Sequence, residues 1–235
     1  MGKTFVIGDI HGRLAALLEV LIASKFDYLD DDLIVLGDVV DGGPNTKGVV
    51  EELLKINHLH FIIGNHDKWF IQHMSRGFDE PMWINQGGAA TLISYGADIM
   101  LGQHIMDEPL IYDVDNMTIP VTHQDFFNRG MYYYIYGKKI FVHGGFDVTK
   151  NIYNQDNHTL TWDRTIIKVA KEKKIPQYDE VFIGHTTTER HGSYPIKYNN
   201  LYMMDCGAGC AGRLCIMNVE TKQFWLSAYQ KPYIL

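Results

Sequence analysis

Cysteine is scarce in this chain: Cys206, Cys210 and Cys215 are the only three in 235 residues, all near one end. An odd count with no Cys-x-x-Cys pair excludes a disulfide framework and a cysteine-based zinc knuckle. Cys206 and Cys215 fall in strand-like apolar runs and are expected as small buried residues. Long hydrophobic runs are missing as well. None approaches the roughly 20 residues that span a bilayer, so no membrane association is expected. Basic clusters are equally few. The net charge is −7 and the one lysine-rich stretch is 171–174, which excludes the broad positive footprint of an extended nucleic-acid binder. No repeat, low-complexity tract or Pro/Ser-rich linker breaks the chain, so residues 1–235 read as one domain. A strand beginning at residue 4 leaves no room for a cleaved leader, and the expected compartment is the cytoplasm.

Hydrophobic residues make up 46% and charged residues 21%, an ordinary globular balance. The first third alternates strand and helix. Strands are predicted at 4–7, 33–36 and 59–63, and helices at 13–23, 47–56 and 68–75. In the first helix Leu14, Leu17, Leu18 and Leu21 share a face. Such alternation implies a largely parallel sheet with ligands at the carboxyl ends of its strands. The stretch from about 76 to 137 is less regular and reads as a small cap. It holds a Gly87-Gly88 turn, a short helix near 89–95, an acidic run at 107–115 and several aromatics. Strands return at 139–142, 180–183, 201–205, 214–219 and 223–226, and their succession suggests a second, more antiparallel sheet.

Five short segments carry the chemistry: Gly8-Asp9-Ile10-His11-Gly12, Gly37-Asp38-Val39-Val40-Asp41-Gly42-Gly43, Gly64-Asn65-His66-Asp67, Val142-His143-Gly144-Gly145 and Gly184-His185-Thr186. Taken singly, each is a plausible turn or a buried histidine. Their joint occurrence is not. Asp, His and Asn are the oxygen and nitrogen donors taken by hard or borderline divalent metals. Asp9 and His11 are one residue apart, so strand alternation places both on one face. Asp38 follows the next strand, and its two oxygens can bridge two cations. The predicted set is Asp9, His11 and Asp38 on one ion, and Asp38, Asn65, His143 and His185 on the other. Two such ions lower the pKa of a water held between them and offset charge on a phosphate. His66 is expected on the substrate side as general acid, oriented and kept protonated by Asp41. The other histidines, His58, His60, His73, His104, His123, His158 and His191, are assigned to structure or surface.

These segments resemble the signature of the PPP-type serine/threonine phosphatases, in the calcineurin-like metallophosphoesterase family, whose motifs run GDxHG, GDxVDRG, GNHE, HGG and GHT. The small bacteriophage and bacterial branch, lambda-phosphatase-like and related to the symmetrical diadenosine tetraphosphatases, is the most similar in size. The resemblance extends to Thr161-Trp162-Asp163-Arg164 and to Met204-Asp205-Cys206-Gly207-Ala208-Gly209. It implies a four-layer α/β/β/α sandwich and a di-metal centre on the residues already chosen. It also implies phosphate contacts from Asn65 and Arg164. Manganese is the expected metal, with iron or zinc as alternatives. Three positions depart from the pattern. Gly42 and Ile63 stand where the protein phosphatases carry phosphate-clamping arginines, and Asp67 replaces the usual Glu. Losing two guanidiniums weakens the hold on a phosphate dianion.

The leading expectation is therefore hydrolysis of phosphate esters by a di-metal-activated hydroxide, as a serine/threonine-type protein phosphatase acting on phosphoproteins. A phosphodiesterase or dinucleoside polyphosphate hydrolase is the alternative, since a diester carries less charge. Trp69, Trp83, Phe126 and Tyr133 could stack a base, although such aromatics more often pack a core or its rim. A catalytically inactive phosphate- or protein-binding module fits the missing arginines but has no need of a His66–Asp41 pair. DNA-end repair is disfavoured by the acidic charge.

Overall fold

The computed structural model describes residues 2–77, 81–99, 112–113 and 116–233. Short strands of four residues or fewer build two five-stranded sheets. The first holds β1 (Thr4–Ile7), β2 (Asp32–Val35) and β3 (His58–Phe61), followed in the chain by the helices α1 (Leu14–Ser24), α2 (Thr46–Leu53) and α3 (Asn65–Arg76). The 76–137 stretch supplies α4 (Pro81–Trp83), α5 (Ala89–Ser94), a ribbon of β4 (Asp98–Ile99) and β5 (Tyr112–Asp113), α6 (Val121–Asn128) and β6 (Tyr133–Tyr136). Then come β7 (Lys139–Val142), α7 (Asn157–Trp162), α8 (Thr165–Glu172), β8 (Glu180–Ile183), β9 (Ile196–Tyr198), β10 (Leu201–Met203), β11 (Cys215–Asn218) and β12 (Phe224–Leu226).

The first sheet runs β12-β11-β1-β2-β3, and the second β6-β7-β8-β10-β9. Alternation along each strand explains the layering. Phe5, Ile7, Leu33 and Val35 face α1–α3, whereas Val6 and Ile34 point the other way. Phe141, Phe182 and Tyr202 of the second sheet meet Val6 and Ile34 in the middle, and Ile140, Val142, Val181 and Ile183 face α7 and α8. Phe141, Phe182 and Tyr202 stack in a column with centroids 4.8 Å and 4.7 Å apart. The result is the four-layer α/β/β/α sandwich, with both faces of both sheets covered.

Three sequence expectations are corrected. The strands predicted at 214–219 and 223–226 join the first sheet rather than the second, because β11 pairs antiparallel with β1. The second sheet is mixed: β7, β8 and β10 are parallel, and only its edges β6 and β9 are antiparallel. Local periodicity carries no information about which distant strand is the partner, and these pairings are distant. α3 also begins three residues earlier than predicted, on Asn65 itself, so the third motif forms a helix's first turn rather than a loop. In α1 the buried face is Ala16, Leu17, Val20 and Leu21, with Leu14 and Leu18 at its edge. Cys206 and Cys215 are buried between the sheets, and all three cysteines are free thiols. His104 and most of the 107–115 acidic run lie outside the described residues.

Candidate active site

β1, β2 and β3 are parallel neighbours, as are β7 and β8. All five end at the same rim, and each of the five segments leaves one of them. Two contacts register the sheets against each other there. The Nδ1 of His143 donates to the Leu36 carbonyl at 2.7 Å, across 107 residues of chain. The backbone N–H of His185 donates to Asp9 Oδ2 at 2.9 Å. Gly184 is required by that approach, since a Cβ there would lie 2.2 Å from Asp9 Oδ1. The backbone bends sharply around the site: His11, Asp38, Asp41 and His185 all have positive φ, between 47° and 70°. Each such residue costs on the order of 1–3 kcal/mol and persists only where its surroundings hold it.

The side chains converge in two groups with one common member. Donor atoms of Asp9, His11 and Asp38 all lie within 4.8 Å of one another, as do those of Asp38, His143 and His185. The Nε2 of His143 lies 3.3 Å from Asp38 Oδ2 and 2.9 Å from Asn65 Oδ1. Asn65 thereby joins the second group. All six residues predicted as ligands are thus brought together. Their electrostatics fit divalent cations. Asp9, Asp38, Asp67 and Asp205 are buried side by side, and no Lys or Arg among the described residues pairs with any of them. Burial, with Asp205 and Asp38 nearby, pushes the Asp9 carboxyl well above its ordinary range. Burial likewise raises Asp205 to about 6. Asp38 is held far below the usual range because His143, His66 and His11 outweigh its burial. Burial lowers His11 to about 4 and His185 to about 3, keeping both imidazoles in the neutral form that ligates metal. The His185 Nε2 is buried with no hydrogen-bond partner among the described residues. An orphaned imidazole nitrogen beside crowded carboxylates is the pattern of a metal site.

Next to this cluster stands the His66–Asp41 pair, with Nδ1 to Oδ2 at 2.7 Å. Asp41 is fully buried and accepts two further bonds, from Trp83 Nε1 at 2.8 Å and Thr91 Oγ1 at 2.7 Å. Burial leaves its pKa raised, although the bonds from His66, Thr91 and Trp83 offset part of that rise. Burial lowers His66, but Asp38 and the bonded Asp41 more than offset that and lift it to about 9. The proton therefore resides on His66. Trp83 and Thr91 join the site without any sequence signal. No motif marks them, because they reach Asp41 from the irregular stretch after α3.

Asp67 does more than its place at the end of the third motif suggests. Its carboxylate accepts N–H bonds from Asp38 at 2.7 Å, Val39 at 2.9 Å and Gly64 at 2.9 Å. It is the strut that holds the second motif against the third. Burial and the neighbouring Asp38 push its pKa up to about 7 despite those bonds. Asp67→Ala leaves these buried donors unpaired, each worth about 1–3 kcal/mol. The expected loss is at least about 3 kcal/mol of unfolding free energy by denaturant titration. A loss below about 1 kcal/mol would show that the strut is dispensable.

The two positions without arginine are taken up by packing. Gly42 has φ +71°, and a Cβ there would sit 3.1 Å from the Gly209 carbonyl oxygen. Ile63 is buried, 6% exposed, in the core under the first sheet. Arg164 is exposed just before α8, near enough for its charge to disfavour protonation of His185. Of the aromatics considered for base stacking, Trp83 and Phe126 are buried and cannot serve. Trp69, also considered, flanks the site, joined there by Trp162. Trp69 lies edge-on to His66 at 5.1 Å, Trp162 to Trp69 at 5.5 Å and to His185 at 5.5 Å.

A four-layer sandwich with two carboxylate–imidazole groups sharing one aspartate, beside a His–Asp pair, defines a metal-dependent hydrolase of phosphate esters. The chain matches the Metallophos family, the calcineurin-like phosphoesterases, over residues 2–209, and it belongs to that family. The family is one of di-metal centres. A serine/threonine-protein phosphatase 1 from Salmonella typhimurium is 25% identical over 92% of this chain and 91% of its own length. A symmetrical bis(5'-nucleosyl)-tetraphosphatase from Coxiella burnetii is 35% identical, but over 29% of this chain and 24% of that protein. Among solved structures, a protein proposed to be a diadenosine tetraphosphatase superposes with a TM-score of 0.68 at 18% identity, over 96% of this chain and 92% of that one.

Proposed function

We propose that this metallophosphoesterase is a serine/threonine-type protein phosphatase that removes phosphate from phosphoproteins. The observation that carries the reading is Asp38 standing in both metal-competent groups, with the His66–Asp41 pair alongside. The near full-length similarity to the Salmonella protein phosphatase supports it. In this reading Asp9, His11 and Asp38 hold one divalent ion, and Asp38, Asn65, His143 and His185 hold the second. Manganese is assigned first, with iron or zinc as alternatives. When bound, the ions supply Lewis acidity and water of lowered pKa. The chain's own groups do the rest. Arg164 and the amide of Asn65 orient the phosphate oxygens. The protonated Nε2 of His66 gives its proton to the leaving alkoxide, while Asp41 fixes the imidazole through Nδ1. Residues 1–235 act as one domain with 76–137 as its cap, working in the cytoplasm of a bacterium or of a phage-infected cell. Among the described residues no helix is long and apolar enough to cross a membrane.

The second reading, a phosphodiesterase or dinucleoside polyphosphate hydrolase, is favoured by two features. Gly42 and Ile63 offer no guanidinium to a dianion, and the rings of Trp69 and Trp162 flank the site as surfaces on which a base could stack. A catalytically inactive binding module is opposed by the complete donor set and the intact His66–Asp41 pair. The test is manganese-dependent hydrolysis of a matched aryl monoester and aryl diester, with Asp38→Asn protein as control. The monoester is expected to be preferred, after which phosphoserine and phosphothreonine peptides follow. Preference for the diester overturns the protein-phosphatase reading in favour of nucleotide substrates. Absence of turnover above the control with any divalent metal favours the binding module.

A further inference from the structure

Arg13 has no role in the chemistry proposed for the site, yet it is a buried cation directly after the first motif, at the start of α1. It is 7% exposed, and among the described residues no carboxylate pairs with it. Its guanidinium instead bonds two backbone carbonyls. Nε donates to Ala208 at 3.1 Å, and Nη2 donates to Gly42 at 3.1 Å. A buried guanidinium bonded to carbonyls rather than to a carboxylate is costly to desolvate.

What it fixes is the cradle of His11. The imidazole Nδ1 bonds the Val40 carbonyl at 3.0 Å, two residues before Gly42. The ring's other side lies against Gly209, where a Cβ would sit 2.6 Å from His11 Cδ2. Gly209 follows Ala208 directly in sequence. The two stretches also touch each other at Gly42 and the Gly209 carbonyl. Arg13 therefore straps together the two strands of backbone between which His11 is held. His11 needs such support, since its own φ is +50°. The other half is held by other means: His143 by the Leu36 carbonyl, and the shared Asp38 by its N–H bond to Asp67.

We infer that Arg13 is a positioning residue for one half of the metal centre: it holds His11 in ligating geometry and leaves the His143/His185 half untouched. This inference rests on the metal-ligand reading of the site. Partners that orient a metal-ligating histidine typically contribute about 10–100-fold to metal affinity.

The experiment is a manganese titration of metal-free protein, followed by the electron paramagnetic resonance of the free ion. Wild type, Arg13→Ala, Arg13→Lys, Gly209→Ala and His11→Ala are compared, with thermal melts to check folding. Wild type is expected to bind two ions. Arg13→Ala should weaken one of them by at least about tenfold, the same one that His11→Ala removes, and leave the other at wild-type affinity. Arg13→Lys, which cannot bridge both carbonyls, should be intermediate. Gly209→Ala presses on the same ring without touching Arg13 and should weaken the same ion. Arg13→Lys, which keeps the charge, keeps the test decisive should Arg13→Ala fail to fold. Equal weakening of both ions, or unchanged binding in the Arg13 and Gly209 variants, overturns the inference. Fewer than two ions bound by wild type overturns the metal-centre reading itself, and the inference with it.

Discussion

Asp38→Asn is expected to lower manganese-dependent turnover by at least about 10³-fold and to weaken metal binding in both halves of the site. The substitution keeps the shape of the side chain and removes only its charge. That charge is shared by two groups whose donor atoms each lie within 4.8 Å of one another. Two divalent ions held by these groups would repel each other, and a carboxylate common to both groups would offset that repulsion where a neutral amide would not. Asn can still accept the His66 backbone N–H that Asp38 Oδ1 receives at 3.0 Å, so the first turn of α3 should stay in place. Circular dichroism and a thermal melt would check that the fold is kept. Turnover and a metal titration, run on the same preparation, read the effect. Near-normal activity would sink the bridging assignment.

His66→Asn has the second-largest expected effect, with a different signature. Loss of a positioned general acid typically costs about 10²–10⁴-fold, and the cost falls on substrates whose leaving group needs a proton. An alkyl phosphate such as phosphoserine should lose that factor, while an activated aryl ester should lose far less. Metal binding should be unchanged, because His66 belongs to neither group. The pH dependence supplies a further check. His66 is lifted to about 9 by Asp38 and Asp41 against its burial, so the acid is present at neutral pH. Turnover of the alkyl ester should fall as pH rises through that pKa, and bound cations, by offsetting Asp38, would move the fall to lower pH. In His66→Asn that alkaline limb should vanish. An equal loss on alkyl and aryl esters, with the limb retained, would remove His66 from the role of acid.

Much of this site is legible in the sequence because its chemistry is written locally. Asp9, Asp38 and Asn65 each follow a short apolar strand within a few residues. Parallel strands followed by helices place such positions at one rim. The His66–Asp41 pair is readable for the same reason, since both partners lie in recognisable motifs. The supports are not readable. Asp67 accepts backbone N–H groups, and Arg13 donates to backbone carbonyls. Every residue carries those groups, so no side-chain pattern announces the contact. Trp83 and Thr91 bond Asp41 from a stretch without clear periodicity. The apolar character of Trp83 suggests a stacking surface, whereas its indole N–H is what the site uses.

The Asp, His and Asn side chains that converge, their order and their places at strand ends are readable from the sequence alone. Those follow from residue chemistry and from alternation over a few residues. That β11 and β12 complete the first sheet emerges from the folded chain and not from any local pattern. The tertiary structure alone stacked the second sheet so that His143 comes to the Leu36 carbonyl 107 residues away. It also packed Ile63 into the core and brought Gly42 up against Gly209. The physical reason is common to all three. Strand partnership and sheet stacking are set by burial summed over the whole core, and no local window of residues contains that sum.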